Sequence, residues 1–244
     1  MRIFYRRAKA FSVVERSTRE NCAPSSPKNF NSFKCERNSQ TGKVYINRNL
    51  YLYIFEITAP RGFGDTWAFG HLLALEPNLK RPTRKLDTTY RGEYDLFLNW
   101  QDSDKKVHPI KIEVKASRAN DRERNDEPLY VKALSSDSKR PFLMNFQQLK
   151  PTCCDVFLWI AAYRDAIKYW VINTHAVQTH RDFTPQHRNE TTAERGKDYR
   201  KEDIFEGQIM MTEKNIHTFN QFLTTGKKLK QAIIAQYKIL SGVK

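Results

Sequence analysis

The chain has 244 residues, with 42 Lys and Arg against 27 Asp and Glu, a net charge of +15, and 39% hydrophobic residues. Aromatic residues reach 12%, which excludes an aromatic-poor disordered polycation. No apolar run approaches the roughly 18 residues of a membrane span, the longest being Val156–Tyr163.

What these numbers leave is a folded, strongly basic chain, whose first candidate partner is an acidic polymer. Met1–Arg7 carry three arginines without a following apolar h-region, which points away from a secretory signal. Cys22, Cys35, Cys153 and Cys154 form no C-x-x-C pair, so reduced thiols and a cytoplasmic location are expected.

In chain order, residues 1–43 read as a loop-rich arm, with Asn21–Gln40 dense in Pro, Ser and Asn. Residues 44–244 read as one domain. Val44–Ile57 is β-rich and is closed by Pro60, Gly62 and Gly64. Asp65 and Thr66 offer an N-cap to a helix carrying Ala68, Leu72, Leu75 and Leu79, which Pro82 ends. Tyr94–Trp100 and Ile110–Ala116 read as strands joined by the polar turn Gln101–Pro109, and a long charged excursion covers Ser117–Lys139. Phe142–Lys150 suggests a short helix stopped by Pro151. Asp155–Ala162 and Ile167–Ile172 form the clearest hairpin, through Arg164-Asp165-Ala166. A basic, uneven region spans Gln178–Lys201, then Gly207–Met211 reads as a strand and Glu213–Leu223 and Thr225–Leu240 as helices. The last helix has a stripe of Leu229, Ala232, Ile233, Tyr237 and Leu240. Hairpins and helices in mixed order argue for an α/β fold with a mixed β-sheet flanked by helices.

The stretch richest in chemistry is Tyr94-Asp95-Leu96-Phe97-Leu98 followed by Ile112-Glu113-Val114-Lys115. Side chains alternate along a strand, so Glu113 and Lys115 share one face while Ile112 and Val114 enter the core. Pairing the two strands as a hairpin brings Asp95 beside Glu113. Two carboxylates and the Val114 backbone carbonyl are hard oxygen donors that suit Mg²⁺. Such a site can hydrolyse a phosphodiester, with Lys115 orienting or deprotonating the attacking water and stabilising developing charge. Two other acid-x-Lys triplets, Asp104-Lys105-Lys106 and Asp137-Ser138-Lys139, lie in polar turn-like sequence without flanking alternation. The plain alternative is that Glu113 and Lys115 are a solvated strand face.

Asp95…Glu113-Val114-Lys115 resembles the signature of the PD-(D/E)xK nuclease superfamily, and the chain resembles its type II restriction endonucleases. The resemblance covers about Tyr94–Ser117, with the 155–173 hairpin fitting more loosely, and Tyr94 stands where the pattern has Pro. It implies a restriction-endonuclease-like fold, Asp95 and Glu113 as metal ligands, Lys115 as the catalytic lysine, and Glu76 as a further acid from the preceding helix. It also implies site-specific cleavage of double-stranded DNA by a homodimer, with a cognate methyltransferase accompanying it.

Asp87 is the runner-up for the first carboxylate, in a turn-like Leu86-Asp87-Thr88-Thr89 context. Gln147, Gln148 and Lys150 could assist the site from the helix expected there. His175, His180 and His187 with Asn189 raise a second metal reading, although their spacing matches no established pattern. Cys153 and Cys154 are expected to be buried thiols. For DNA contact, Arg118, Arg122 and Arg124 follow the catalytic strand, and Arg181, Arg188 and Lys197 belong to a second basic cluster with Arg195, Arg200 and Lys201. Two alternatives stay open at this level: a repair or junction-resolving nuclease, and a non-catalytic DNA-binding protein.

Overall fold

The structure is a computed structural model that describes residues 34–37, 44–47, 62–124, 126–186 and 205–243. Two compact units divide the chain, Met1–Ile57 and Thr58–Lys244. In the first unit, β1 (Lys34–Arg37) and β2 (Val44–Asn47) pair antiparallel, Lys34 opposite Asn47. The rest of the β-rich stretch, 48–57, lies outside the described residues, as do Arg188, Lys197 and the remainder of 187–204.

The larger unit begins with a π-helical turn, Gly62–Ala68, that runs into α1 (Phe69–Leu75). The helical stretch as a whole starts at Gly62, before the expected Asp65–Thr66 cap, and stops well before Pro82. Pro77 is the reason: the residue before a proline is driven out of the helical region, and Glu76 sits extended at φ −131°, ψ 94°. Next come β3 (Leu96–Gln101) and β4 (Val107–Arg118), the expected hairpin, antiparallel with Leu96 opposite Ile112. The 117–139 excursion is ordered where described, into β5 (Asn120–Asp121) and α2 (Leu129–Lys132).

Phe142–Leu149 is not a helix but β6. Its burial alternates through Phe142, Met144 and Phe146, and the two exposed glutamines that follow, with Gln148 at φ +54°, let Leu149 turn back into the core. Period-two packing against a neighbouring sheet outweighs the helix propensity of Leu, Met and Gln here. The hairpin of β7 (Val156–Ala162) and β8 (Ile167–Asn173) is as expected, followed by α3 (Thr174–Thr179) and β9 (Thr184–Pro185). After β10 (Gly207–Thr212), a 3₁₀ helix over Ile216–Phe222 replaces the expected α-helix, β11 (Leu223–Thr224) adds a short edge, and α4 (Leu229–Ser241) closes the fold.

The architecture is mixed α/β, with a five-stranded mixed sheet ordered β11-β8-β7-β4-β3 and a four-stranded sheet ordered β5-β6-β10-β9. Within the first, only β4 and β7 run parallel. The crossover between them, residues 119–155, carries β5 and β6 into the second sheet. Every residue of β7 is buried, as expected of a central strand covered on both faces. One face, with Leu96, Leu98, Ile110, Ile112, Val156, Leu158 and Ile160, packs under α1 and α4 through Phe69, Leu72, Leu229 and Ile233. The other, with Phe97, Phe157, Trp159 and Ile172, packs against Met144, Phe146, Ile209 and Met211 of the second sheet. Stacking of Phe146 on Trp159, centroids 4.5 Å apart, joins the two sheets.

Gly207 of β10 lies opposite Pro185 of β9, and a Cβ there would collide with the Phe183 ring and lie 2.6 Å from the Thr184 carbonyl. Around Gly70, within α1, the same atom meets nothing within 4 Å. Gly207→Ala should therefore lower the unfolding free energy by about 1–3 kcal/mol through overpacking. Gly70→Ala should raise it, by up to about 1 kcal/mol from helix propensity. Urea unfolding of the two variants checks both signs.

Candidate active site

The β3–β4 pairing decides where the acids meet. Beyond Leu96 the ladder gains one more bond, from the Asp95 N–H to the Ile112 carbonyl (3.0 Å). The Asp95 carboxylate then turns back and accepts the Val114 N–H at 2.9 Å. Glu113 lies between these two β4 residues, and its side chain leaves from the face opposite to Ile112 and Val114. Lys115, two residues on, points the same way and its Nζ meets Glu113 Oε1 at 2.8 Å. Asp95, Glu113 and Lys115, separated by up to 20 positions in sequence, thus converge on one corner of the five-stranded sheet.

The corner is mostly closed to water, with the side chains of Glu113 and Lys115 12% and 19% exposed. Burial raises the Glu113 carboxyl, and the negative charge and hydrogen bond of Asp95 raise it further against the pull of Lys115. For Lys115, burial is the largest influence and acts downward, yet Glu113 and Asp95 together hold the ammonium above its ordinary value. One ammonium between two carboxylates leaves the corner short of positive charge.

Those donors fit a hard divalent cation. In a strand the N–H and C=O of one residue leave on the same side, so the Val114 carbonyl faces the side on which Asp95 accepts its N–H, past the last β3 pair. Among the described residues no three His, Cys, Asp or Glu side chains gather as a metal-holding group. Two carboxylates and a carbonyl are the donors that this corner could offer to Mg²⁺, an ion that keeps several waters and phosphate oxygens.

Of the other residues singled out from sequence, several serve elsewhere. Glu76 bonds the backbone and side-chain nitrogens of Asn78 at 3.0 and 2.5 Å, and its helix covers the sheet face opposite to Glu113. Asp87 is anchored by Thr89, by the Tyr94 hydroxyl (2.8 Å) and by Lys111 (3.2 Å). The Thr89 and Tyr94 hydrogen bonds hold its carboxyl well below the usual range. Arg118 is not a surface contact. Its side chain is buried and its guanidinium stacks over the Phe63 ring at 4.2 Å. Arg122 pairs with Glu213, Arg124 with Asp121 and Glu127, and Arg181, largely exposed, with Asp182.

Gln147 and Gln148 lie on β6, not on a helix, and Lys150 pairs with Glu206 at 3.9 Å. His180 stacks on Phe219 (4.3 Å) and contacts the Thr218 hydroxyl, while His175 is exposed and His187 is outside the described residues. Cys154 is buried as expected, and burial together with Cys153 and Glu113 pushes its thiol up. Cys153 is half-buried.

Two neighbours carry no motif signal. Tyr90 packs edge-on against Tyr94 with centroids 5.1 Å apart, and its phenol is raised by burial and then by Asp95, Glu93 and Glu113. Asp155, just before β7, accepts the Lys111 N–H at 2.7 Å and donates its own N–H to the Lys111 carbonyl at 2.9 Å, fixing the start of the parallel pairing. Comparison with protein-family models, curated proteins and solved structures finds no match.

Glu113 makes the metal-free fold sensitive to pH. Its carboxyl is raised from the ordinary 4.5 to about 7, so between these values the folded chain holds a proton that the unfolded chain has released. Stability then falls as pH rises through that window and levels off above it. Glu113→Gln cannot ionise and escapes this loss. The stability of the variant relative to the parent should therefore increase by roughly 2–3 kcal/mol from pH 5 to pH 8 in chelator, read from urea unfolding. A difference independent of pH would contradict the assignment.

Proposed function

We propose that the chain is a Mg²⁺-dependent endonuclease of the PD-(D/E)xK type that hydrolyses double-stranded DNA at a specific sequence, acting as a homodimer. The observation that carries the reading is the convergence of Asp95, Glu113 and Lys115 on the β3–β4 corner. The mixed sheet, with an antiparallel β3–β4 hairpin and β7 parallel to β4, is compatible with a restriction-endonuclease-like core. The net charge of +15 suits a polyphosphate substrate. A two-fold assembly would place one such corner against each strand of a palindromic site.

Mg²⁺ bound here would neutralise phosphate charge and make a water nucleophilic near neutral pH. Asp95 and Glu113 would hold it, and the Val114 carbonyl would complete the protein's share. Lys115, kept as an ammonium by its two carboxylates, donates rather than accepts. Its part is to orient the attacking water and stabilise charge on the phosphate in the transition state. Asp95 also fixes the local backbone through the Val114 N–H, so the ligands are positioned before substrate arrives.

Incubating the purified protein with plasmid and phage DNA in Mg²⁺ tests the reading. Discrete fragments support a site-specific nuclease. A smear, or cleavage confined to branched DNA, replaces it with a nonspecific or repair nuclease, and intact DNA that is nevertheless bound replaces it with a binding protein. Asp95→Ala and Glu113→Ala should each abolish cleavage while leaving duplex binding within about tenfold, because many cations share the phosphate contacts. Lys115→Ala should slow single-turnover cleavage by at least about 100-fold with little change in binding. Full cleavage by any of these folded variants would remove that residue from the mechanism.

A further inference from the structure

Lys111 lies on the same face of β4 as Glu113 and Lys115, two residues before the first of them. It is held from several sides. Its backbone N–H and carbonyl are tied to Asp155, its ammonium meets Asp87 Oδ2 at 3.2 Å, and it sits over the Tyr94 ring, 5.4 Å from the centroid. Asp87 does not depend on Lys111 for partners, since Tyr94 and Thr89 already bond it. An ammonium has three donors and the Lys111 side chain is 37% exposed, so this cation is both fixed and open to solvent on the face that carries the acids.

From these placements we propose that Lys111 is a positioning residue that grips the phosphate next to the one cleaved. The inference rests on the nuclease reading above and adds a phosphate subsite to it. Two residues of strand advance about 6.7 Å. That is the order of the step between neighbouring phosphates of one DNA strand, about 3.4 Å of rise plus the lateral turn about the axis. When Glu113 and Lys115 address one phosphate, Lys111 therefore stands one step along the same backbone. The Asp87–Tyr94 bracket keeps its long side chain in place, which lowers the entropy lost when the phosphate docks. Such a contact sets the register of the strand over the acids and carries no base information.

Single-turnover cleavage of plasmid DNA in Mg²⁺, followed over a range of enzyme concentrations, separates docking from chemistry. Lys111→Gln should raise the half-saturating concentration at least about fivefold, as expected for loss of a hydrogen bond to a charged group. It should also reduce the log–log salt slope of that concentration by about one, with the saturated rate staying within about threefold. Lys111→Arg, which keeps the cation, should restore most of the loss. Lys227→Gln, on the turn that leads into α4 on the opposite face, should change neither parameter. An unchanged half-saturating concentration in Lys111→Gln, or a saturated rate that falls as it does for Lys115→Ala, would overturn the proposal. If the parent protein binds DNA without cutting it, the nuclease reading fails separately. Filter binding of the same DNA then judges Lys111 alone, and equal affinity and salt slope in Lys111→Gln and Lys227→Gln would overturn its role.

Discussion

Alternation along β4 ties the core to the chemistry. Ile110, Ile112 and Val114 are 0, 0 and 7% exposed, each buried aliphatic side chain stabilising the fold by about 1.5–3 kcal/mol. Slipping the strand by one residue would send Lys111, Glu113 and Lys115 into that apolar layer and move the aliphatic residues to the other face. Burial of one face therefore fixes the other. Asp155 reinforces the register from the β7 side by bonding both backbone groups of Lys111, and Asp95 does so from the β3 side through Val114. The acids converge because this register is held by the buried face and by both flanking strands.

That placement has an electrostatic cost. A carboxylate as buried as Glu113 and next to Asp95 is disfavoured in its charged form, and Lys115 compensates only in part. The fold thus holds an acid in a site where it gains less from ionisation than it would in water. Functional sites commonly depart from the best stability in this way. A divalent cation between the two carboxylates would supply the missing positive charge, so the feature that disfavours ionised Glu113 would, on the proposed reading, favour metal capture. The same two carboxylates hold Lys115 as an ammonium against the pull of burial, the state that the proposed role of donor to water and phosphate requires.

Much of this was legible in the sequence wherever local pattern and tertiary packing agree. Tyr94–Trp100 and Ile110–Ala116 read as strands because apolar residues recur there, and pairing the two brings the acids together. The all-apolar run of β7 was also clear, since burial on both faces leaves no alternation to misread. Elsewhere local propensity and packing diverge. Phe142–Leu149 has helix-forming residues but lies in the second sheet, because Phe142, Met144 and Phe146 are needed against the first. The first helix ends at Glu76 on account of Pro77, one turn before the Leu79 that its spacing included. Arg118 reads as a surface cation following a catalytic strand, yet the stacking partner that draws it inward, Phe63, lies 55 positions earlier. The Asp87–Tyr94–Lys111 bracket was equally invisible, because its members share no motif and meet only after the hairpin forms.

The central claim is that Asp95 and Glu113 jointly hold one divalent cation at the β3–β4 corner. Crystals of the protein soaked in Mn²⁺, with anomalous diffraction recorded at the manganese edge, test it most directly. The account predicts a peak within coordination distance of both carboxylates and of the Val114 carbonyl, lost in crystals of Asp95→Ala. Manganese bound only at other residues, under conditions in which the same ion supports DNA cleavage, would contradict it.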